Sequence, residues 1–326
     1  MSDAASSSSG VDVSILIVSY NTRAMTLRCL ETLYESLERD DALTAEVLVA
    51  DNGSSDGSLE AIEERFPQAR IVSRDDNLGF AKANNVLARE ARGEWILLLN
   101  PDTEVLGTAV QTIVAFGESK RADGQSFVVG GRTLFADGSL NRNSCHGRPT
   151  PWSLFCQGTG LSSMFRTSAL FNPEGLGSWK RDSVREVDAI TGCLLLIERR
   201  LWEKLGGFDE RFVMYGEDTD LCLRASSAGV PSIVCPDSEI IHHGGASEAV
   251  RSDKMIRLFR AKAQLIKKHW SPASAFFGTR ALIAWAMTRM VAHAVLVPIR
   301  KASAPAYATW REIVVRRSEF QLKTRH

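Results

Sequence analysis

The stretch "WILLLNPDTEV" (Trp95–Val105) runs five apolar residues straight into Asn100-Pro101-Asp102, with Thr103 and Glu104 behind them. An apolar run of that length suits a strand buried on both faces, the kind that helices cover from either side. "VSILIVSY" (Val13–Tyr20) and "AEVLVAD" (Ala45–Asp51) read the same way, and "ARIVS" (Ala69–Ser73) supplies another short strand. Helical patterns separate them: "MTLRCLETLYESLER", with Leu27, Leu30, Leu33 and Leu37 at helical spacing, then "LEAIEERF", then "GFAKANNVLAREA". Such strand–helix alternation predicts a parallel α/β sheet.

Outward from this core the pattern weakens between Arg121 and Glu186. "FVVGGRTLFADGSL" reads as a hairpin, and "RNSCHGRPTPWSLFCQGTGLSS" as a long loop with a short helix. Order returns with "VDAITGCLLLIERRLWEKLGGFDERF", the helical "GEDTDLCLRASSAG" and the strand "PSIVC". A basic amphipathic helix follows from about Ser252 to Trp270.

Of the 326 residues 44% are hydrophobic and 24% charged, a globular composition. The start "MSDAASSSSG" has neither the basic region nor the apolar core of a signal peptide and reads as a loose tail over 1–10. Six scattered cysteines form no C-x-x-C, so a disulfide framework is not expected and a reducing cytoplasm is. The net charge of zero hides a split. Residues 251–326 carry 16 Lys/Arg against 3 Asp/Glu, a net of +13, which leaves −13 on residues 1–250. A basic end of this kind points to an anionic partner, nucleic acid or an anionic membrane face.

In an open α/β sheet, ligands collect at the C-terminal ends of the strands. Three polar clusters fall there: Tyr20-Asn21, Asp51-Asn52-Gly53 and Asn100-Pro101-Asp102. Each alone is an ordinary turn; three in register suggest one pocket. No G-x-G-x-x-G follows the first strand and no G-x-x-x-x-G-K-[ST] occurs, so a bound phosphate needs another holder. A hard divalent cation on carboxylate oxygens supplies one, with Asp102 as ligand and Asn100 offering a neutral carbonyl. Glu104 is expected to face solvent or to assist. A second acidic centre, Glu217, Asp218 and Asp220, opens a helix. One acid would cap it; three crowd, which raises one pKa and yields a proton acceptor. "EIIHHGGAS" adds His242 and His243, of which extended chain directs only one to the site.

These segments together resemble the family 2 glycosyltransferases, in their rhamnosyltransferase-like branch, which includes enzymes of cell-wall and O-antigen assembly. The resemblance rests on "ILIVSYN" (Ile15–Asn21), "VLVADNGSSDGS" (Val47–Ser58), "NLGFAKANN" (Asn77–Asn85), "LLLNPDTEV" (Leu97–Val105), the segment Thr191–Gly229 and "IHHGGAS" (Ile241–Ser247). It implies a GT-A type nucleotide-diphospho-sugar transferase fold, α/β with a mixed central sheet, over 11–250. The nucleotide-binding half would cover about 11–105 and the acceptor half about 106–250, with a basic helical extension over 251–326. It places Tyr20-Asn21 and Asp51-Asn52 against the nucleoside, with Asp51 accepting from a pyrimidine ring N–H, and Asn77 and Lys82 near the pocket. Asn100-Pro101-Asp102 stands where the family carries D-x-D. Asp102 is then the metal contact, and Asn100 in the first place implies a weaker hold on Mg²⁺ or Mn²⁺. His242 would approach the metal or diphosphate, and Asp218, beside Glu217, would be the general base.

The implied activity is inverting, metal-dependent sugar transfer to a hydroxyl of a glycan or a polyprenyl-diphosphate-linked glycan. The "HHGGAS" ending and the segment around Trp152 are similar to enzymes that use dTDP-L-rhamnose. A UDP-sugar (galactofuranose or N-acetylglucosamine) is the alternative donor, and a non-catalytic nucleotide-sugar or glycan binding module the alternative class. Nucleic acid is not expected, since the basic end carries no reading motif. "ALIAWAMTRMVAHAVLVPI" (Ala281–Ile299) approaches spanning length, but Arg289 and His293 share one helical face, which is costly in lipid. It is expected to lie on the inner face of the cytoplasmic membrane, as peripheral contact with anionic lipid, or to pack on the catalytic domain, rather than to span.

Overall fold

The computed structural model describes residues 10–73, 77–244 and 251–320. All but the last residue of the expected tail, and Gly245 to Ser247 of the His-Gly-Gly segment, lie outside these.

The elements run β1 (Val13–Ser19), α1 (Arg23–Leu37), β2 (Ala45–Asp51), α2 (Ser58–Arg65), β3 (Arg70–Ser73), α3 (Phe80–Glu90), β4 (Trp95–Leu99), β5 (Thr103–Val105), α4 (Ala109–Ala122), β6 (Val128–Leu134), β7 (Leu140–Asn141), β8 (Cys145–His146), α5 (Pro151–Thr159), α6 (Leu161–Met164), β9 (Arg185–Val187), β10 (Ala189–Ile190), β11 (Leu194–Glu198), α7 (Arg199–Leu205), α8 (Glu217–Ser227), β12 (Ser232–His242), α9 (Arg251–His269), α10 (Pro272–Leu296) and α11 (Ala304–Val315). The main sheet has the order β3-β2-β1-β4-β11-β6-β12-β5, with β7 on β6 and β9 on β12.

The first four strands in this order are parallel, as their uninterrupted apolar runs require. β11 then pairs antiparallel with β4 and β6, so the sheet is mixed, as in the GT-A type, rather than wholly parallel. Alternate residues feed two cores. Val13, Ile15, Ile17, Leu97 and Leu99 face one side under α1 and α4, and Leu16, Val18, Ile96 and Leu98 face the other under α3 and α8. Gly130 and Gly131 let β6 approach closely: a Cβ on Gly130 would meet Ile190 Cγ2 at 2.4 Å.

β6 and β7 form the expected hairpin. The stretch read as a loop with a short helix holds two, α5 and α6. α5 is well specified locally, with a Thr150–Ser153 capping box, Pro151 in its first turn and left-handed Gly160 (φ 89°) behind it. The C-terminal helices α9, α10 and α11 close a third core around Phe259, Ile266, Leu282 and Ile313, to which α5 contributes Leu154.

Candidate functional site

β1, β2 and β4 end side by side, because β1 pairs in register with both neighbours. At the end of β1, Tyr20 is 44% exposed. Asn21 takes φ 50°, a left-handed value that Asn tolerates better than most residues. Its amide oxygen accepts from the Ser55 N–H and its own N–H donates to Ser54 Oγ, which locks the β1 turn onto the β2 turn. Asp51 is buried. Its Oδ1 accepts from the Ser54 N–H at 2.7 Å, while Oδ2 has no partner.

β4 ends in Asn100-Pro101-Asp102. The short strand that follows, β5, pairs with the last residues of β12: Val105 with Ile240, Glu104 with Ile241 and Thr103 with His242. That register carries His242 Nε2 to 3.3 Å from Asp102 Oδ1. His243 faces the other way, to Glu104 at 2.8 Å, and Glu104 also holds Arg28 at 3.0 Å. The two histidines therefore diverge as extended chain dictates. Burial opposes the Asp102 charge, yet the hydrogen bond and charge of His242 hold its pKa below the usual carboxylate range. Burial also opposes a charged His242 ring, but Cys193 and Asp102 raise its pKa to about 10. The two form an ion pair.

The acidic centre separates into three environments at the start of α8. Tyr215 (φ 71°) and Gly216 (φ 86°), both left-handed, turn the chain into the helix. Glu217 is buried with Oε2 unpartnered. Burial, then the Asp218 charge, hold its carboxyl well above the usual range, so the crowding acts on Glu217. Asp218 is half-buried. Its Oδ2 accepts from the Gly192 N–H at 3.2 Å, and its Oδ1 from the Thr219 N–H at 2.6 Å and the Thr219 hydroxyl at 3.2 Å. Asp220 is fully buried against Arg224, Lys268 and His269, all within 2.8 Å, and ties α8 to α9.

One segment joins the two centres. Thr191-Gly192-Cys193 leads into β11. The Gly192 N–H holds Asp218, and the Cys193 carbonyl accepts from the Asn100 N–H at 3.3 Å. The Phe80 ring, at the start of α3, packs 3.2 Å from where a Gly192 side chain would begin, and the Phe80 N–H donates to the Val213 carbonyl. Asn77 caps this approach by accepting from the Gly79 N–H, and Lys82 lies exposed on α3. Asn77 and Lys82 were expected near the pocket, whereas sequence reasoning gave Gly192, Cys193 and Phe80 no role. A glycine just ahead of an apolar strand was the available signal. His146 was missed as well: its Nε2 lies 3.2 Å from the Thr219 hydroxyl, yet it sits in a stretch without periodicity.

Thirteen buried side-chain nitrogen or oxygen atoms among the described residues lack a hydrogen-bond partner. Five belong to Asp51, Asn52, Asn100, Glu217 and His242. An unmade buried hydrogen bond is costly, so each of these five atoms is open to a partner from a polar ligand.

Comparison with known proteins bears on the family and the fold. The family described as "Glycosyl transferase family 2" matches over residues 14–187, and that described as "N-terminal domain of galactosyltransferase" over 179–243. An N-acetylglucosaminyl-diphospho-decaprenol L-rhamnosyltransferase of Mycobacterium tuberculosis is 29% identical over 250 residues, covering 70% of this chain and 75% of its own. The rhamnosyltransferase WbbL of Escherichia coli is 28% identical over 226 residues, 66% of this chain and 78% of its own. A mannosyltransferase from Pyrobaculum calidifontis, solved with GDP-Man and Mn²⁺, shares the fold at a TM-score of 0.54 and 18% identity, over 94% of this chain and 84% of that one.

Proposed function

The chain belongs to glycosyl transferase family 2, and from that premise we propose that it moves L-rhamnose from dTDP-L-rhamnose to an acceptor hydroxyl by one inverting displacement. The observation that carries the reading is the Thr191–Cys193 bridge, which holds Asp218 by the Gly192 N–H and Asn100 by the Cys193 carbonyl. A half-exposed carboxylate thereby stands beside the end of β4.

Asp51 offers its unpartnered Oδ2 to a ring N–H of the donor pyrimidine, and Tyr20 and Asn52 flank it. The residues at the end of β4 fit Mg²⁺ or Mn²⁺. Asp102 and the unpartnered carbonyl of Asn100 are oxygen donors, and His242 would add a nitrogen once the cation displaced its proton; no cluster of three His, Cys, Asp or Glu is present among the described residues. Mg²⁺ is commonly held through one or two carboxylates plus substrate phosphates, so a fuller protein cage is not required. Such a cation would neutralise charge on the departing diphosphate. Asp218 accepts the proton of the acceptor hydroxyl, which attacks the anomeric carbon from the side opposite the leaving group. The Gly192 and Thr219 N–H groups keep that carboxylate aimed. Burial and the Asp218 charge disfavour a second charge on Glu217 beside it.

Rhamnose is favoured by the M. tuberculosis and E. coli relatives, and a lipid-diphosphate-linked glycan acceptor by the name of the former. The match of 179–243 to a galactosyltransferase family favours a UDP-sugar as the second reading. Incubation with each donor and a polyprenyl-diphosphate-linked N-acetylglucosamine, with NMR of the product, tests the proposal. Inverted anomeric configuration is expected; retention, or no transfer from any donor, refutes it.

A further inference from the structure

α10 is apolar on more than one face. Ala275, Gly278, Leu282 and Ala286 form the stripe that packs inward. Two of its polar residues turn toward protein: Arg289 donates to the Gln157 carbonyl at 3.1 Å and Thr288 to the Gly158 carbonyl at 3.0 Å, both on α5. The outer stripe holds Phe276, Phe277, Met287, Val291 and Val295, each 47–70% exposed. Arg280 shares that stripe, with its guanidinium 3.3 Å above the Phe276 ring. Beside α10, the α5–α6 pair exposes Phe155, Met164 and Phe165. Exposed apolar side chains in this number along one helix face mark an interaction face.

Charge decides what covers it. From Lys254 to Arg311 the chain has 11 Lys/Arg and no Asp/Glu; Lys262 and Lys268 pair inward with Glu174, Asp209 and Asp220, while Arg260, Arg280, Arg300, Lys301 and Arg311 stay exposed. A second copy would bring two such segments together, whereas anionic headgroups complement them. No helix among the described residues is long and apolar enough to cross a membrane. We infer that the outer stripe of α10, with the α5–α6 pair, is a docking face for an anionic bilayer. α10 lies in the interface plane with its apolar side down and its basic neighbours at the headgroups. α5 begins shortly after His146, which touches Thr219 beside Asp218. Resting on the transfer reading, this face would set the site beside a membrane-held acceptor.

The test is flotation of the full chain with phosphatidylcholine vesicles, with and without phosphatidylglycerol. The wild type should float with the anionic vesicles only, and added salt should release it. The Phe277→Glu/Val291→Glu/Val295→Glu variant should partition about tenfold or more weaker with an unchanged circular-dichroism melt. If that variant loses its melt, the milder Phe277→Ser/Val291→Ser pair replaces it. Wild-type protein that stays unfloated with both vesicle types overturns the inference, as does equal flotation of wild type and variant. A wild-type dimer that the variant dissociates would assign the face to a second copy and also overturn it. Flotation reads no sugar transfer, so a failure of the transferase reading leaves this outcome separate.

Discussion

In an Asp218→Asn variant the side chain keeps its shape and loses its charge. Oδ1 can still accept from the Thr219 N–H at 2.6 Å, but the new amide NH₂ then meets the Gly192 N–H, donor against donor, where 3.2 Å now separates a donor from an acceptor. One charge-assisted hydrogen bond is lost and one donor is left without a partner, which costs about 1–3 kcal/mol of stability. The fold should survive, because the three apolar cores are untouched. Catalysis loses its proton acceptor, which is worth about 10²- to 10⁴-fold in kcat, or roughly 3–5 kcal/mol of barrier. The assay is transfer rate at saturating donor, with donor affinity measured separately by calorimetry. A kcat within about tenfold of wild type, with donor binding intact, would refute the role given to Asp218.

Glu217 should behave differently from its neighbour. A carboxyl with a raised folded pKa contributes stability below its unfolded value near 4.5, and that contribution is lost as pH rises through the folded value. Glu217→Gln should therefore gain stability over wild type between pH 5 and 8, by about 1–2 kcal/mol at the upper end in urea titrations; a pH-independent difference would count against the burial argument. Asp51→Asn places a donor where Oδ2 now offers an unpartnered acceptor and should weaken donor binding about tenfold or more, read by calorimetry. Asp220→Ala removes the shared partner of Arg224, Lys268 and His269 and should cost about 3 kcal/mol in urea denaturation. The loss is at the low end for a buried network, because Lys268 keeps Asp209 at 2.6 Å.

The parallel half of the sheet was legible because β1, β2 and β4 are apolar on both faces, a pattern that only two-sided burial explains. The mixed half was not. "LLLIE" in β11 reads alike whether its neighbour runs parallel or antiparallel, and the connection, not the residues, sets its direction. The divergence of His242 and His243 followed from strand alternation. The difference between Glu217 and Asp218 did not, since adjacent residues at a helix start differ only by rotation about its axis, and tertiary packing decides which is sealed. Composition could not orient α10, which is apolar on more than one face: Phe276, Phe277 and Val291 stay outside while Ala275, Gly278 and Ala286 face the core. Gly192 and His146 act through backbone and hydroxyl contacts that leave no periodic trace.

Calorimetric titration of the full chain with dTDP-L-rhamnose and a panel of UDP-sugars, with and without Mg²⁺ or Mn²⁺, bears most directly on the proposed chemistry. One donor should bind measurably only with the cation, and Asp102→Ala should weaken that binding about tenfold or more. Folded protein that binds no donor, or binds one equally well without the cation and after Asp102→Ala, would contradict a metal and diphosphate site at the end of β4.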